Sequence, residues 1–147
     1  MKSNRFIQNT DFATLKNDAK TTAEITIPAT TTIPNGVTFQ RLVSTNFTVG
    51  KSGTEPQLIY EDEDGRIQTN SHRQISGTLR QYSTVDNQWH NTQWYGRIQV
   101  VRVDSNTYRL EAYVNVHWAY SRYNATFTTT QQKIKLYVHT FLNPFSQ

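Results

Sequence analysis

Apolar and polar positions alternate most regularly between residues 94 and 120. In "WYGRIQVVRV" and again in "TYRLEAYVNVHWAY", every second side chain is small or apolar. A period of two over this length is typical of β-strands that bury one face. The intervening Asp104-Ser105-Asn106 predicts a three-residue turn with Asn106 in the left-handed region of φ and ψ. The pattern therefore predicts an antiparallel hairpin.

The length of this turn sets which residues of the two strands lie opposite one another. The predicted pairs are Val100–Leu110, Ile98–Ala112, Gly96–Val114, Trp94–Val116, Arg97–Tyr113 and Gln99–Glu111. Small residues then lie beside large ones, so turn length and packing agree. Trp94 has the parity of Ile98 and Val100, which predicts that it belongs to the core. Trp89 precedes the strand and is predicted to lie in a loop.

Alternation in the first half of the chain predicts further strands. "AEITIP" places Ile25 and Ile27 on one face and ends at Pro28, and "ATTTIPNG" is then an extended link closed by a Pro-Asn-Gly turn. "VTFQRLVSTNFTVG" predicts a long strand. Its apolar row consists of Val37, Phe39, Val43, Phe47 and Val49. Arg41 interrupts this row, which predicts a β-bulge.

Three more segments complete the set of strands. "PQLIYEDEDGRIQTN" predicts a hairpin with its tip at Glu61 to Gly65, and "QISGTLRQYS" predicts a strand that Gly77 weakens. The acidic tip lacks the spacing of a calcium loop, so a solvated turn is expected. "QKIKLYVHTFL" predicts the last strand. Its inner face consists of Ile134, Leu136, Val138 and Leu142.

The first 22 residues show little alternation. "NTDFATLKNDA" predicts one short helix with Asn9, Thr10 or Asp11 as N-cap. Residues 1–22 are therefore expected to be an N-terminal arm that docks on its own domain or on a neighbour. Residues 23–147 are expected to form one domain with one core. The predicted fold class is all-β: an antiparallel two-sheet β-sandwich, jelly-roll or Ig-like, with a short N-terminal arm.

Uncharged hydrogen-bonding residues dominate the polar composition. The chain has 22 Thr, 12 Asn and 12 Gln against 11 Asp plus Glu, and Thr favours strands. The net charge is +4 and the 15 Lys and Arg are scattered, so no nucleic acid partner is expected. There is no cysteine, which excludes disulfides and thiolate metal sites. No apolar signal segment and no run of 18 apolar residues occur, so neither secretion nor membrane insertion is expected.

The face opposite the core row carries an unusual set of side chains. A solvated face would be rich in Lys, Glu, Thr and Ser. The candidate interface or ligand residues on this face are Tyr95, Arg97, Tyr113, His117, Tyr137, His139 and Phe141. Arg97 is expected opposite Tyr113, within reach of a cation–π contact. Trp89 is a loop aromatic that parity assigns to neither face.

Three interpretations of this face remain open. The N-terminal arm or a loop of the same chain covers it. Alternatively, it is an interface with a second copy or another protein, for which enrichment in Tyr, His and Arg is typical. In the third interpretation its rings stack on a glycan.

Patterns that carry catalytic chemistry are absent. No G-x-S-x-G, phosphate-binding loop or H-E-x-x-H motif appears, and no pair of carboxylates stands out. His72, His90, His117 and His139 lack the spacing of metal ligands. We therefore expect no catalytic residues, no metal, no cofactor and no enzymatic activity.

The order of segments resembles that of a known class of proteins. A polar arm with "DFATLKNDA" is followed by "AEITIPATTTIPNGVTF", by an antiparallel meander and by the terminal "YVHTFLNPF", in which His-Thr-Phe precedes Pro-Phe. This arrangement resembles the small all-β virion proteins of tailed bacteriophages. The resemblance implies a head-decoration, tail or fibre-associated subunit, assembled in several copies and bringing no catalytic residues.

The sequence thus leads to one expected function and one alternative. We expect a non-enzymatic structural component of a phage virion, made in the host cytoplasm, that assembles through the aromatic-rich face and the N-terminal arm. Its expected partners are further copies of the chain and other virion proteins, and a host glycan or receptor is an additional candidate. The alternative is a carbohydrate-binding or receptor-binding β-sandwich module that uses the same face.

Overall fold

The computed structural model describes residues 21–48, 56–68, 72–130 and 132–140. Every regular element among these residues is a β-strand. In chain order the strands are β1 (Thr21–Ile27), β2 (Thr30–Ile33), β3 (Phe39–Thr48), β4 (Pro56–Glu61), β5 (Ile67–Gln68), β6 (His72–Gln74), β7 (Thr78–Ser83), β8 (Gln88–Thr92), β9 (Trp94–Arg102), β10 (Thr107–Val116), β11 (Ala125–Thr128) and β12 (Gln132–Thr140). The all-β prediction is confirmed. The predicted short helix and most of the arm lie outside the described residues, and β1 begins at Thr21, just inside the predicted arm.

These strands form three four-stranded antiparallel sheets rather than the expected two. The first sheet has the order β1-β12-β4-β5, the second β3-β10-β9-β6 and the third β2-β11-β7-β8. The third sheet arises because β2 continues β1 after only Pro28 and Ala29, and pairs with β11 while β1 pairs with β12. Proline cannot donate a ladder hydrogen bond, so the chain changes sheets at this point.

The register of the predicted central hairpin is confirmed pair by pair. β10 pairs with β9 so that Leu110 faces Val100, Val114 faces Gly96 and Tyr113 faces Arg97. The conformation predicted for the turn is wrong, because among the described residues Asn87 is the non-glycine residue with positive φ, at 57°. Instead, the Asp104 carboxylate accepts hydrogen bonds from the backbone N–H groups of Asn106 at 3.0 Å and Thr107 at 2.8 Å. A side chain that caps the turn removes the need for a left-handed residue.

The predicted bulge in β3 is also confirmed. Along β10, Ala112 pairs with Val43 and the next residue, Tyr113, pairs with Arg41, so Leu42 is the additional residue. A bulge reverses the faces of the residues before it. Phe39 therefore lies on the outer face with Arg41, and its predicted place in the inner apolar row is wrong.

Three segments differ from their predictions: one predicted strand is divided, and two segments predicted to be irregular are strands. "QISGTLRQYS" contributes to β6 and β7, which belong to different sheets. At the break, a Cβ atom on Gly77 would lie 2.6 Å from both Phe127 Cζ and the Thr128 carbonyl oxygen, so only glycine fits there. Trp89 lies in β8, paired with Tyr82, and the loop predicted for it is wrong. The predicted extended link after Pro28 is the strand β2.

One cluster of buried hydrophobic side chains is shared by the three sheets. Its members include Ile25, Ile134 and Leu136 from the first sheet, Phe47, Ile98 and Leu110 from the second, and Ile33, Leu79 and Phe127 from the third. Trp94 packs against this cluster, with its ring edge-on to Phe127 at a centroid distance of 4.8 Å. The core assignment of Trp94 is confirmed. The inner positions of the last strand are buried as predicted as far as Val138, and Leu142 lies outside the described residues.

Candidate interaction surfaces

The predicted aromatic face is divided between two sheets. Tyr95, Arg97 and Tyr113 lie on the outer face of the second sheet, whereas Tyr137 lies in β12 of the first sheet. The edge strands β1 and β3, which lie against each other, separate β12 from β10. His117 follows the end of β10 and is exposed. The side chain of His139 and all of Phe141 lie outside the described part of the structure.

The outer face of the second sheet contains more arginine than the sequence pattern suggested. We call eight residues of this outer face the arginine face: Phe39, Arg41, Tyr95, Arg97, Gln99, Arg109, Glu111 and Tyr113. Three arginines thus share this face, and two of them, Arg41 and Arg109, bind the Glu111 carboxylate. Arg41 and Phe39 join the face only because of the bulge at Leu42.

Glu111 organises the charges of the arginine face. Its Oε1 accepts hydrogen bonds from Arg41 Nε at 2.8 Å and Arg109 Nε at 2.9 Å, and its Oε2 accepts one from Gln99 Nε2 at 2.9 Å. The residue is only 2% exposed. Burial by itself would raise the pKa of this carboxyl group, but the hydrogen bonds from Gln99, Arg109 and Arg41 outweigh it and hold the pKa below its usual value. The carboxylate is therefore charged at neutral pH and keeps both arginine side chains against the sheet.

The aromatic residues of the same face form a stacked pair and a cation–π pair. The rings of Phe39 and Tyr113 are stacked at a centroid distance of 5.0 Å, with Phe39 45% exposed and Tyr113 7% exposed. The guanidinium carbon of Arg97 lies 4.8 Å from the ring centroid of Tyr95, not over the ring of Tyr113 as predicted. Arg97 Nε is buried and has no hydrogen-bond partner within the described residues.

Tyr137 belongs to a surface of different character. Its hydroxyl group lies 3.2 Å from Glu61 Oε1, and it lines a shallow depression with Glu24 and Lys135. Lys133 Nζ lies 3.4 Å from Glu24 Oε2 in the same sheet. This surface carries charges of both signs.

A second aromatic surface escaped the sequence analysis. Tyr82 contacts Trp89 edge-on at a centroid distance of 5.5 Å and Tyr123 edge-on at 5.4 Å. We call these three residues the aromatic cluster. Trp89 is 43% exposed and Tyr123 is 50% exposed. The alternation of "TLRQYS" was visible in the sequence, but only the pairing of β7 with β8 brings Tyr82 to Trp89.

Gln81 was also missed, and it holds the segment that follows β10. It is 1% exposed; its Nε2 donates to Thr92 Oγ1 at 2.8 Å and to the His117 carbonyl at 3.0 Å. Its Oε1 accepts from the backbone N–H groups of Ala119 and Tyr120, both at 3.0 Å. Every hydrogen-bonding position of the amide is used. No feature of the sequence distinguishes this glutamine from the other eleven.

The acidic hairpin tip has the local structure of a capped turn. Asp62 Oδ1 accepts from the backbone N–H groups of Asp64 and Arg66, both at 2.9 Å, and Asp62 Oδ2 accepts from Arg73 Nη2 at 2.7 Å. Burial opposes ionisation, but the Arg73 hydrogen bond and the backbone donors hold the pKa of Asp62 below its usual value. In the described part of the chain, no group of three or more His, Cys, Asp or Glu side chains is arranged to hold a metal ion.

Comparison with known proteins adds no further constraint. No protein-family model, no curated protein and no solved structure matches the chain. The described residues include no helix of the length and apolarity needed to cross a membrane.

Proposed function

We propose that the protein is a non-enzymatic structural subunit of a bacteriophage virion that assembles with further copies of itself through the arginine face. The observation that carries the assembly proposal is the exposed ring of Phe39, which is stacked on the buried ring of Tyr113 and flanked by Arg41 and Arg97. Aromatic and arginine residues dominate the energy of protein interfaces. The virion context rests on the resemblance of the sequence to small virion proteins, as does production in the host cytoplasm.

The arrangement of the arginine face favours binding with little loss of side-chain freedom. Arg41 and Arg109 are already held by Glu111 in the free chain. Ordering a flexible side chain on binding costs about 0.5–1.5 kcal/mol, so side chains that are ordered beforehand avoid much of this cost. Other virion proteins are additional candidate partners for the same face.

The alternative proposal, a carbohydrate-binding or receptor-binding module using the same face, has weaker support. A sugar ring needs an open aromatic face for stacking. Tyr113 is almost fully covered by its neighbours, and Phe39 lies over it. The Tyr95 ring contacts the Arg97 guanidinium group. The two exposed rings of this face, Phe39 and Tyr95, thus each lie beside an arginine guanidinium group.

The fold type is part of the proposal. The hydrophobic cluster shared by the three sheets supports a sandwich in which inner faces pack together, with the bent strands β1–β2 and β6–β7 passing from one sheet to another. Jelly-roll and Ig-like types are the two proposed forms of this sandwich, and an experimental structure of the full chain tests them.

Sedimentation velocity over a wide concentration range tests the assembly proposal. The parent chain should form particles of more than one copy, and Phe39→Ala should weaken their association by about 2 kcal/mol or more. Val85→Ala is the control, because Val85 is 91% exposed in the turn between β7 and β8, away from the sheet that carries the arginine face. A parent chain that stays monomeric at every concentration, or equal effects of the two variants, would contradict the proposal.

A further inference from the structure

The outer face of the third sheet differs in chemistry from the arginine face. Its outward positions are Thr30 and Thr32 in β2, Thr126 and Thr128 in β11, Thr78, Arg80 and Tyr82 in β7, and Trp89 and Asn91 in β8. Among these nine positions, Arg80 is the residue that carries a charge at neutral pH. Hydroxyl and amide groups thus cover most of the face, and the aromatic cluster lies at one end of it.

The exposed rings of the aromatic cluster are not covered by each other. The Tyr82–Trp89 rings meet at 68° and the Tyr82–Tyr123 rings at 84°. Edge-on contacts cover less ring surface than stacking, and about half of Tyr123 and 43% of Trp89 remain open to solvent. In the Phe39–Tyr113 pair, by contrast, only Phe39 is exposed, because Tyr113 lies beneath it and is 7% exposed.

The backbone on both sides of the cluster is held in place. Asn35 Nδ2 donates to the Tyr123 carbonyl at 3.0 Å, and the Asn35 backbone N–H donates to Asn124 Oδ1 at 3.0 Å. In the β7–β8 turn, Asn87 has a φ of 57° and Asp86 Oδ1 accepts from the Gln88 N–H at 3.2 Å. Sites held in their binding geometry before the ligand arrives lose less free energy on binding.

We infer that this face is a saccharide-binding site, in which a pyranose ring stacks on Trp89 and Tyr123. The apolar side of a pyranose suits an exposed aromatic ring, and its hydroxyl groups need both donors and acceptors. Asn91 and Thr126, which flank Arg80 in the register of β8, β7 and β11, supply both.

The charge of the face narrows the class of ligand. One guanidinium group complements a neutral saccharide or one with a single carboxylate, with which arginine forms paired hydrogen bonds. A nucleic acid needs a row of cations along its backbone, and the nine outward positions offer a single cation, Arg80. The site lies in a different sheet from the arginine face, so saccharide binding can be tested independently of the proposed assembly.

Titration of the full chain with three oligosaccharides tests the inference. The probes are cellotriose, chitotriose and trigalacturonic acid. Binding is measured by intrinsic tryptophan fluorescence and by saturation-transfer NMR. At least one trimer should bind to the parent chain. Trp89→Ala should weaken its binding by at least about tenfold, which corresponds to about 1.4 kcal/mol. Trp89→Phe should keep most of the binding in the NMR experiment and lose the fluorescence change.

Controls separate a saccharide site from other uses of the cluster. Val103→Ala, a change at a comparably exposed apolar position outside this face, should bind as the parent does. Binding to none of the three trimers would overturn the inference, as would equal binding by Trp89→Ala and the parent. Loss of self-association in Trp89→Ala without saccharide binding by the parent would identify the cluster as a protein contact and would also overturn it.

Discussion

Arg41 donates a hydrogen bond of 2.8 Å to the buried carboxylate of Glu111, although the two residues are 70 positions apart in the chain. The contact exists because the bulge at Leu42 turns Arg41 to the outer face of the second sheet. Without the bulge, Arg41 would point into the core, where an unpaired charge is strongly unfavourable. A local irregularity of one strand thus assembles the charged centre of the arginine face.

Glu111→Gln should destabilise the fold by about 3 kcal/mol at neutral pH, because it leaves guanidinium groups without their buried counter-ion. The folded-state pKa of Glu111 is lower than its usual value of 4.5. Its contribution to stability is therefore present above that value and is lost as the pH falls through the folded pKa. Urea denaturation at several pH values measures the effect.

The matched control for this variant is Glu24→Gln, since Glu24 forms an exposed ion pair with Lys133. It should change stability by less than about 1 kcal/mol. The difference between the parent and Glu111→Gln should shrink on acidification. A difference that stays constant down to strongly acidic pH would show that the Glu111 carboxylate is not the titrating group.

Gln81→Leu should cost about 2–3 kcal/mol, although it replaces a polar side chain in the interior by an apolar one of similar size. The substitution leaves the backbone N–H groups of Ala119 and Tyr120 without their acceptor. Gln88→Leu, in the neighbouring strand at an exposed position, should be nearly neutral. Equal urea midpoints for the two variants would mean that water replaces the Gln81 amide without cost.

Trp94→Ala should destabilise the chain by about 3 kcal/mol, because its ring packs against Phe127 and the shared core. Trp89→Ala should cost less than about 1 kcal/mol, since its ring is 43% exposed and contacts Tyr82 at the surface. Chemical denaturation of both variants gives the comparison. The reverse order would show that Trp89, and not Trp94, is anchored in the core.

Asn87→Val should destabilise by about 1–2 kcal/mol, because a β-branched residue is strained at a φ of 57°. Asn87→Gly should be tolerated, since glycine adopts this region without steric cost. Asn106→Val serves as the matched control in the other tight turn and should have little effect on the thermal midpoint. Greater sensitivity at Asn106 than at Asn87 would contradict the turn assignments.

The period-2 pattern determined much of the second sheet. The apolar row of β10 and the spacing of the turn predicted the register of β9 and β10, with six of their nine pairs named, because a shift of one residue would expose the entire row. The same logic placed Trp94 in the core and located the bulge near Arg41. The side-chain cap supplied by Asp104 was missed, because a cap and a left-handed residue satisfy the same short turn and the sequence allows both.

The sequence by itself determined which segments alternate between apolar and polar side chains, which face of each is apolar and how the central hairpin is paired. These features depend on residues close together in the chain and on the period of two along a strand. Only the tertiary structure decided that Pro28 and Gly77 mark passages between sheets, that Tyr137 lies apart from Tyr113, and that Tyr82, Trp89 and Tyr123 meet. It also decided that Phe39 turns outward and that Gln81 is buried. These features depend on pairings between segments far apart in the chain, and alternation along a single strand carries no information about which strand lies beside it.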